Sequence, residues 1–282
     1  MLFQTTRRLL AGTYIALYSN IGMALRICAG WLLLKYLLYF YLGIGEIDTW
    51  GFLFDKSFWL SEKEIILLVL FNLTPFVYIP SIAVAWIRGL MLGEKPWVIH
   101  LRFGLRELKF IGWTFVLYIS WLVFFIISGF VILIIPGFFL QSVFGNASFL
   151  ALFVEGVLLL IFGLFVLSPA ASLSLVLSAV ACDEHLPVGK VFDTVWSLGA
   201  PMVLAGVAAT LPVMVLTGFY SFLFGFPVTG YPGGILGLFV VEGLNLVAVI
   251  LASGILTGGY YILRERQMPS GGGPQLPETP ES

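Results

Sequence analysis

Four ionisable side chains interrupt stretches of this sequence that are otherwise apolar enough to cross a bilayer. Arg26 and Lys35 lie in the first stretch, Glu155 in the fourth and Glu242 in the sixth. A charge at the centre of a membrane helix costs about 2.5–3.5 kcal/mol on insertion scales, so such residues usually pair with one another or bind something. Arg26 is close to the end of its stretch, where a long side chain can reach the interface. The other three are the candidates for chemistry.

Lys35, Glu155 and Glu242 are predicted to lie at one depth. Each is about seven residues from the outer end of its stretch, which places it roughly 10 Å below the surface at a helical rise of ~1.5 Å per residue. Asn72 and Asn245 lie at a similar depth. The five residues therefore predict a polar layer between helices. Because one lysine cannot neutralise two buried carboxylates, one glutamate should stay protonated if all of them share a site.

This layer has two interpretations. Intramembrane carboxylates can bind a proton or a substrate, as they do in transporters. Alternatively, Lys35 is neutralised by one glutamate, the pair fixes helix packing, and the other glutamate lies near the headgroups. The sequence leaves both open.

The segment 88–109 is the longest polar interruption and the most basic one, with five positive charges against Glu94 and Glu107. Basic clusters beside a membrane span attract anionic headgroups. Apolar residues recur here at helical spacing, which predicts an amphipathic helix on the membrane surface. They are Trp97, Leu101, Leu105 and Leu108. The candidate headgroup-binding residues are Arg88, Arg102, Arg106 and Lys109.

The composition requires helices that hold these residues inside a membrane. The chain is 60% hydrophobic and 10% charged, with a mean hydropathy of +1.05, whereas soluble proteins are about 45–50% apolar and about 25% charged. A bilayer core needs about 20 apolar residues per helix. Six stretches satisfy this, which predicts an all-α bundle of six transmembrane helices: 21–43, 64–87, 111–135, 149–181, 201–223 and 235–263.

The basic residues predict the orientation of the chain. Most of the 14 Lys and Arg fall at the two termini and in the second and fourth connections, while the opposite loops hold only Lys56 and Lys63. Positive charge marks the cytoplasmic side. We therefore expect both termini in the cytoplasm and the aromatic-rich connections at the outer interface.

The connections also suggest an internal repeat. An amphipathic helix, a span, an aromatic outer turn and a second span recur in units near 1–93, 94–182 and 183–268. The first amphipathic helix would use the face formed by Leu10, Tyr14, Leu17 and Ile21. Residues 1–265 thus form the predicted transmembrane domain, and the Pro-, Ser- and Gly-rich residues 266–282 a disordered cytoplasmic tail.

Several functional classes lack support. No hydrolase, metalloprotease or phosphate-loop motif occurs, and His100 and His185 have no partners at metal-ligand spacing. The sequence predicts no enzyme, no cofactor, no metal and no nucleic-acid partner. Small residues suit close helix contacts instead. They are Gly156, Gly163, Gly254, Gly258 and Gly259.

Two segments resemble a family of bacterial membrane proteins. The first combines a small-residue helix end, a short turn and an amphipathic helix ending in Trp-x-Leu: Ser168-Pro169-Ala170-Ala171, Leu186-Pro187-Val188-Gly189-Lys190-Val191-Phe192 and Val195-Trp196-Ser197-Leu198-Gly199. The second is Arg88-Gly89-Leu90-Met91-Leu92-Gly93-Glu94 with Leu105-Arg106-Glu107-Leu108. They resemble the uncharacterised six-span YciC-like family and the membrane domain fused to glycerophosphodiester phosphodiesterases. The resemblance implies a bacterial inner-membrane protein. No phosphodiesterase domain follows, so no catalytic role is implied.

These observations lead to one expectation and one alternative. We expect an inner-membrane protein that organises lipids, through anionic headgroups, or partner membrane proteins. The alternative is a small transporter that uses the intramembrane Lys/Glu layer.

Overall fold

The structure, a computed structural model, describes residues 2–41, 62–96, 103–129, 163–164, 166–224 and 234–267. These residues form helices joined by turns. The helices are α1 (Leu2–Ser19), α2 (Ile21–Tyr41), α3 (Glu62–Leu92), α4 (Leu105–Gly129), α5 (Leu175–Ala181), α6 (Val188–Phe192), α7 (Ala200–Phe224) and α8 (Gly234–Gln267), with one π-helical turn at Val195–Gly199.

Within the described ranges, four helices are long and apolar enough to cross a membrane. They are Ile21–Tyr41, Leu73–Leu92, Ser197–Leu223 and Leu236–Arg266. They coincide with the first, second, fifth and sixth predicted stretches, which confirms an all-α protein with membrane-type helices. In the other two stretches, the structure describes α4 and a shorter apolar helix, Val166–Ala181. Six spans and the threefold repeat therefore stay predictions.

Helix α8 is the axis of the fold. It contacts α1, α2, α3, α5 and α7. The α1–α2 pair, interrupted at Asn20, runs antiparallel along it: Lys35 meets Glu242 near one end of α8, and Arg8 meets Glu265 near the other. A span of 34 residues gives α8 a length of about 50 Å. Each of the two glutamates thus forms an ion pair, Glu242 with a residue of α2 and Glu265 with a residue of α1.

Glycines on α8 allow its neighbours to approach closely, as the sequence predicts for this group. A methyl group at Gly254 would lie 2.7 Å from Thr13 Cγ2, and one at Gly259 would lie 2.8 Å from Met202 Sδ. Both separations are shorter than real Cβ contacts, so a larger residue at Gly254 would push against Thr13 of α1, and one at Gly259 would force the Met202 side chain of α7 to move. Gly163 has no such neighbour within 4 Å, and Gly156 lies outside the described residues.

Helix α1 packs against α7 and α8. Its buried residues are Thr5, Leu9 and Thr13, and two of them, Leu9 and Thr13, lie against Gly258 and Gly254 of α8. Of the predicted apolar face, Leu10 and Leu17 pack at the edge of the core, whereas Tyr14 and Ile21 are exposed. The predicted face is thus divided between the core and the surface of the bundle.

The helix α8 extends past the predicted domain boundary. It continues to Gln267, so Arg266, which the sequence assigns to a disordered tail, is helical. Its guanidinium donates a hydrogen bond of 3.1 Å to Ser197 Oγ. The rest of the predicted tail lies outside the described residues.

Candidate functional site

Two of the predicted intramembrane charges meet inside the bundle. Lys35 Nζ of α2 donates to Glu242 Oε1 of α8 at 2.5 Å. The two side chains are only 7% and 4% exposed. The positive and negative charges therefore neutralise each other where neither can be solvated, which is the arrangement that a low-dielectric environment requires.

The second carboxylate oxygen of Glu242 has its own partner. Tyr78 of α3 donates its hydroxyl to Glu242 Oε2 at 3.1 Å. The Lys35 ammonium also lies 5.0 Å from the centre of the Phe71 ring and 5.4 Å from that of Tyr78, within range of cation–π attraction. Three helices thus converge on one carboxylate and one ammonium.

Regular spacing along α2 and α8 places the two charges opposite each other. On each helix, buried residues recur every fourth position, which forms a straight ridge suited to helix packing. The ridges are Ile27, Trp31, Lys35 and Tyr39 on α2, and Leu238, Glu242, Leu246 and Ile250 on α8. Each ridge carries a single charge in an otherwise hydrophobic row. This pattern is visible in the sequence.

The site is closed. The space enclosed by its lining is too small for a water molecule; the lining consists of Trp31, Leu32, Lys35, Tyr78, Glu242 and Leu246. The Trp31 indole nitrogen is buried there without a hydrogen-bond partner among the described residues. Binding any substrate at this pair would require helices to separate.

Of the other three predicted members of the layer, Asn245 is the one whose side chain the structure describes. Asn245 is exposed on α8, one turn from Glu242. Asn72 lies in α3, but its side chain is outside the described part of the structure, as is all of Glu155. Sequence reasoning missed Tyr78, whose only signal is its spacing of seven residues, about two helical turns, from the buried Phe71.

A second polar cluster lies where α3 and α5 end and α4 begins. Arg88, 8% exposed, donates to Asp183 Oδ2 at 2.9 Å, to the Ala181 carbonyl at 2.8 Å and through Nε to Glu94 Oε2 at 2.8 Å. Its guanidinium is therefore occupied by internal partners. Arg88 fixes these helix ends and does not present a free charge to a headgroup.

Asp183 accepts from a second arginine and has an unusual backbone. Arg106 Nε lies 2.9 Å from its Oδ2. Asp183 has a φ of 59°, the left-handed conformation that glycine usually adopts after a helix. Its N–H bonds to Val180 O at 3.2 Å, and the Glu184 N–H bonds to Ala179 O at 2.8 Å, which is the Schellman arrangement. Asp183 thus ends α5 and holds two arginines.

The charge environment of Asp183 follows from these contacts. Partial desolvation raises the pKa of its carboxyl, but the hydrogen bond from Arg88 and the charge of Arg106 outweigh it and hold that pKa below its ordinary value of 3.8. The carboxylate form is therefore the stable one at neutral pH. Next to it, burial and the charge of Glu184 raise the pKa of the Cys182 thiol to about 11, so this thiol stays protonated.

Further ion pairs continue this cluster around the same end of the bundle. Arg264 lies 3.2 Å from Glu184, Tyr260 donates its hydroxyl to the same carboxylate, and Arg8 lies 3.0 Å from Glu265. The start of α1 and the end of α8 therefore meet at one end of the bundle. We call this region the basic end. Its paired members are Arg8, Arg88, Glu94, Arg106, Asp183, Glu184, Arg264 and Glu265.

The first turn of α4 presents a different surface. Glu107 turns inward, where its Oε2 accepts from the Gly104 N–H at 2.8 Å and caps the helix. Leu105 is 78% exposed, and Leu108 and Lys109 are exposed beside it. The described part of the predicted amphipathic segment is thus the first turn of α4, with Leu105, Leu108 and Lys109 outward and Arg106 turned toward Asp183. Trp97, Leu101 and Arg102 lie outside the described residues.

Comparison with family models, with characterised proteins and with solved structures gives no match for this chain. The resemblance to the YciC-like family and to the phosphodiesterase-associated membrane domain stays a prediction. Functional inference rests on the two polar sites and on the exposed start of α4.

Proposed function

We propose that this protein is a non-enzymatic, multi-pass protein of the bacterial inner membrane that organises anionic lipids, or partner membrane proteins, at its basic end. The proposal includes six spans in three hairpins, with both termini in the cytoplasm. The observation that supports it best is the start of α4, where Leu105 and Leu108 are exposed beside Lys109.

This combination suits a membrane interface. Exposed leucines at a helix start gain free energy by entering the acyl boundary, about 25 cal/mol per Å² of apolar surface. A basic residue near an anionic surface contributes about 1 kcal/mol more. Because Glu107 caps the helix from inside, the first turn keeps its form while its outer face meets lipid.

The four predicted headgroup-binding cations differ in whether an acidic side chain already pairs with them. Arg88 and Arg106 are held by Asp183, so their charges are partly compensated. Lys109 has no acidic partner among the described residues, and Arg102, the remaining member of the predicted headgroup set, lies outside them. They are therefore the positions at which a headgroup contact is best tested.

The test measures the lipid that surrounds the protein. The full chain is reconstituted in liposomes of equal phosphatidylglycerol and phosphatidylcholine and extracted with a styrene–maleic acid copolymer. Lipid mass spectrometry then gives the phosphatidylglycerol fraction in discs that contain the protein. We expect enrichment with the wild type, loss of enrichment with Arg102→Glu/Lys109→Glu, and retention with Arg102→Lys/Lys109→Arg. Equal fractions for the wild type and the charge-reversed variant would refute the proposal.

A transporter is the second candidate, because Lys35, Glu242 and Tyr78 form a buried ionisable group within apolar helices. Such a group can carry a proton if the helices open. Proteoliposomes with a trapped pH dye test this under an imposed membrane potential. Proton entry that exceeds that of empty liposomes and disappears in Glu155→Gln/Glu242→Gln would favour transport. Equal proton entry with the wild type and with the double variant would exclude transport through this pair.

A further inference from the structure

A groove lies between α1, α3 and α8 at the level of the basic end. It encloses about 330 Å³, at the lower end of the range of small-molecule sites, about 300–1,000 Å³. Its floor is lined by small residues, two of which, on α8, also lie against Leu9 and Thr13 of α1. They are Gly12 and Ala16 of α1 and Gly254 and Gly258 of α8.

The walls and the rim of the groove differ in chemistry. Leu9, Leu90 and Met91 supply apolar walls, while Arg8 and the half-exposed Tyr261 stand at the rim. Gly12 is also exposed, so the groove opens to the surroundings of the bundle. An apolar channel with a cation and an amphipathic aromatic at its mouth matches the order of groups in a phospholipid.

We propose that this groove binds a single anionic phospholipid, with an acyl chain along the glycine floor and its phosphate at Arg8. The inference rests on the proposed function in one respect, since it requires the basic end to lie at a leaflet surface. It adds a defined, individually bound lipid to the general headgroup contact at α4. Basic sites between membrane helices are a recurring mode of anionic lipid recognition.

Arg8 is able to exchange partners. Its present partner, Glu265, lies 3.0 Å away, and the two side chains are 58% and 50% exposed. Exposed pairs of this kind hold together weakly, whereas a guanidinium binds a phosphate with two parallel hydrogen bonds. Arg7, also exposed, precedes it on the same helix and increases the positive charge at the rim. An anionic headgroup can therefore displace Glu265.

The experiment is native mass spectrometry of the full chain in detergent, titrated separately with phosphatidylglycerol and phosphatidylcholine. The wild type should retain one phosphatidylglycerol in preference to phosphatidylcholine. Gly12→Leu should fill the groove and weaken retention of both lipids about tenfold. A Cβ atom at Gly12 meets no atom within 4 Å, so the variant is expected to fold. Gly22→Leu, equally free of neighbours on exposed α2 surface, is the matched control and should bind like the wild type.

Two matched variants, Arg8→Gln and Glu265→Gln, test the headgroup contact. Arg8→Gln should reduce the preference for phosphatidylglycerol about fivefold. Glu265→Gln breaks the same ion pair but leaves Arg8 in place, so it should keep or increase the preference. Lys109→Glu should leave the adduct unchanged, which separates this site from the α4 surface. Equal retention by Gly12→Leu and wild type, or a wild type that shows a second protein copy and no lipid, would overturn the proposal.

Discussion

The Lys35–Glu242 pair and the basic end both hold charged side chains within an apolar helix bundle, but they differ in how far those charges are exposed. At the pair, one ammonium and one carboxylate meet at 2.5 Å in a space too small for water. At the basic end, Asp183 serves both Arg88 and Arg106 and remains about half exposed. The first site is enclosed by buried side chains, whereas the second is partly exposed and one carboxylate there is shared by two arginines.

This difference assigns different roles to the two regions. A closed pair stabilises the contact between α2, α3 and α8, and its removal should affect folding first. A shared, hydrated network tolerates the loss of one member, and its outer residues can meet phosphate. The sequence does not reveal this difference, because Lys35 lies inside one predicted span and Arg88 directly after another, and neither position indicates the partners of the side chain.

The largest effect is expected at Glu242. Glu242→Leu leaves the Lys35 ammonium buried without a counter-ion and should lower the free energy of unfolding by about 3–5 kcal/mol. The matched variant Lys35→Met/Glu242→Leu removes both charges and should recover most of this loss. Thermal unfolding in detergent micelles, followed by far-UV circular dichroism, measures both variants.

If the pair were a transport site, Glu242→Leu would be expected to raise the free energy of unfolding, because functional charges generally cost stability. If Glu242→Leu proved as stable as the wild type or more stable, the pair would not be the structural tie described above. If Lys35→Met/Glu242→Leu did not recover the lost stability, the unpaired lysine would not be the cause of the loss in Glu242→Leu.

The next largest effect is expected at Arg88, the most buried cation of the basic end. Arg88→Met should lower the free energy of unfolding by about 2–3 kcal/mol, since it leaves Glu94, Asp183 and the Ala181 carbonyl with fewer donors. Arg106→Met, at the exposed side of the same Asp183, should cost less than about 1 kcal/mol. Chemical denaturation of the two variants under identical detergent conditions compares them. Equal losses would show that burial does not distinguish these arginines.

Asp183 allows charge to be separated from backbone geometry. Both Asn and Asp accept the left-handed conformation at this helix end, so Asp183→Asn removes the charge alone and should lower stability by about 1 kcal/mol at pH 7. Asp183→Val adds backbone strain and should cost more. Thermal unfolding of the three proteins measures the two contributions.

The pH dependence of this loss has a defined sign. The folded pKa of Asp183 is below the ordinary 3.8, so the carboxylate contributes stability above pH 3.8, and this contribution is lost as the pH falls through the folded pKa. The difference between wild type and Asp183→Asn should therefore be constant near neutral pH and shrink below about pH 4. A difference that grew on acidification would contradict the assigned ion pairs.

The smallest stability effect is expected at Lys109, whose side chain is exposed. Lys109→Glu should change the free energy of unfolding by less than about 0.5 kcal/mol while it lowers the phosphatidylglycerol fraction in extracted discs. Unfolding curves and lipid analysis of the same preparation measure the two quantities. A large loss of stability would place Lys109 within the packed network instead of on a lipid-facing surface.

The sequence predicts the helical class and the meeting of Lys35 with Glu242 because both depend on local properties. Apolar length identifies the four described helices that are long enough to cross a membrane, and helical rise places the two charges at one depth. Depth does not determine direction around a helix, however. Asn245 lies one turn from Glu242 and is nevertheless exposed, since α2 and α3 pack on the other side of α8.

Other features depend on contacts between distant segments. Tyr78 is an ordinary aromatic in an apolar helix until α3 meets α8, and Asp183 is a polar loop residue until α3 and α4 bring their arginines to it. The side of α1 that packs on α8 is another example, since hydrophobicity alone ranks Tyr14 above Thr13, whereas Thr13 is the residue that lies against Gly254 of α8.

Hydrogen–deuterium exchange in nanodiscs tests the contrast between the two regions most directly. The first amides of α4 have no partner within the helix, so peptides that cover Leu105–Lys109 should exchange more slowly in phosphatidylglycerol discs than in phosphatidylcholine discs. Peptides around Lys35 and Glu242 should stay protected to the same extent in both. Equal exchange at the start of α4, together with lipid-dependent exchange at the pair, would contradict the roles assigned to the two sites.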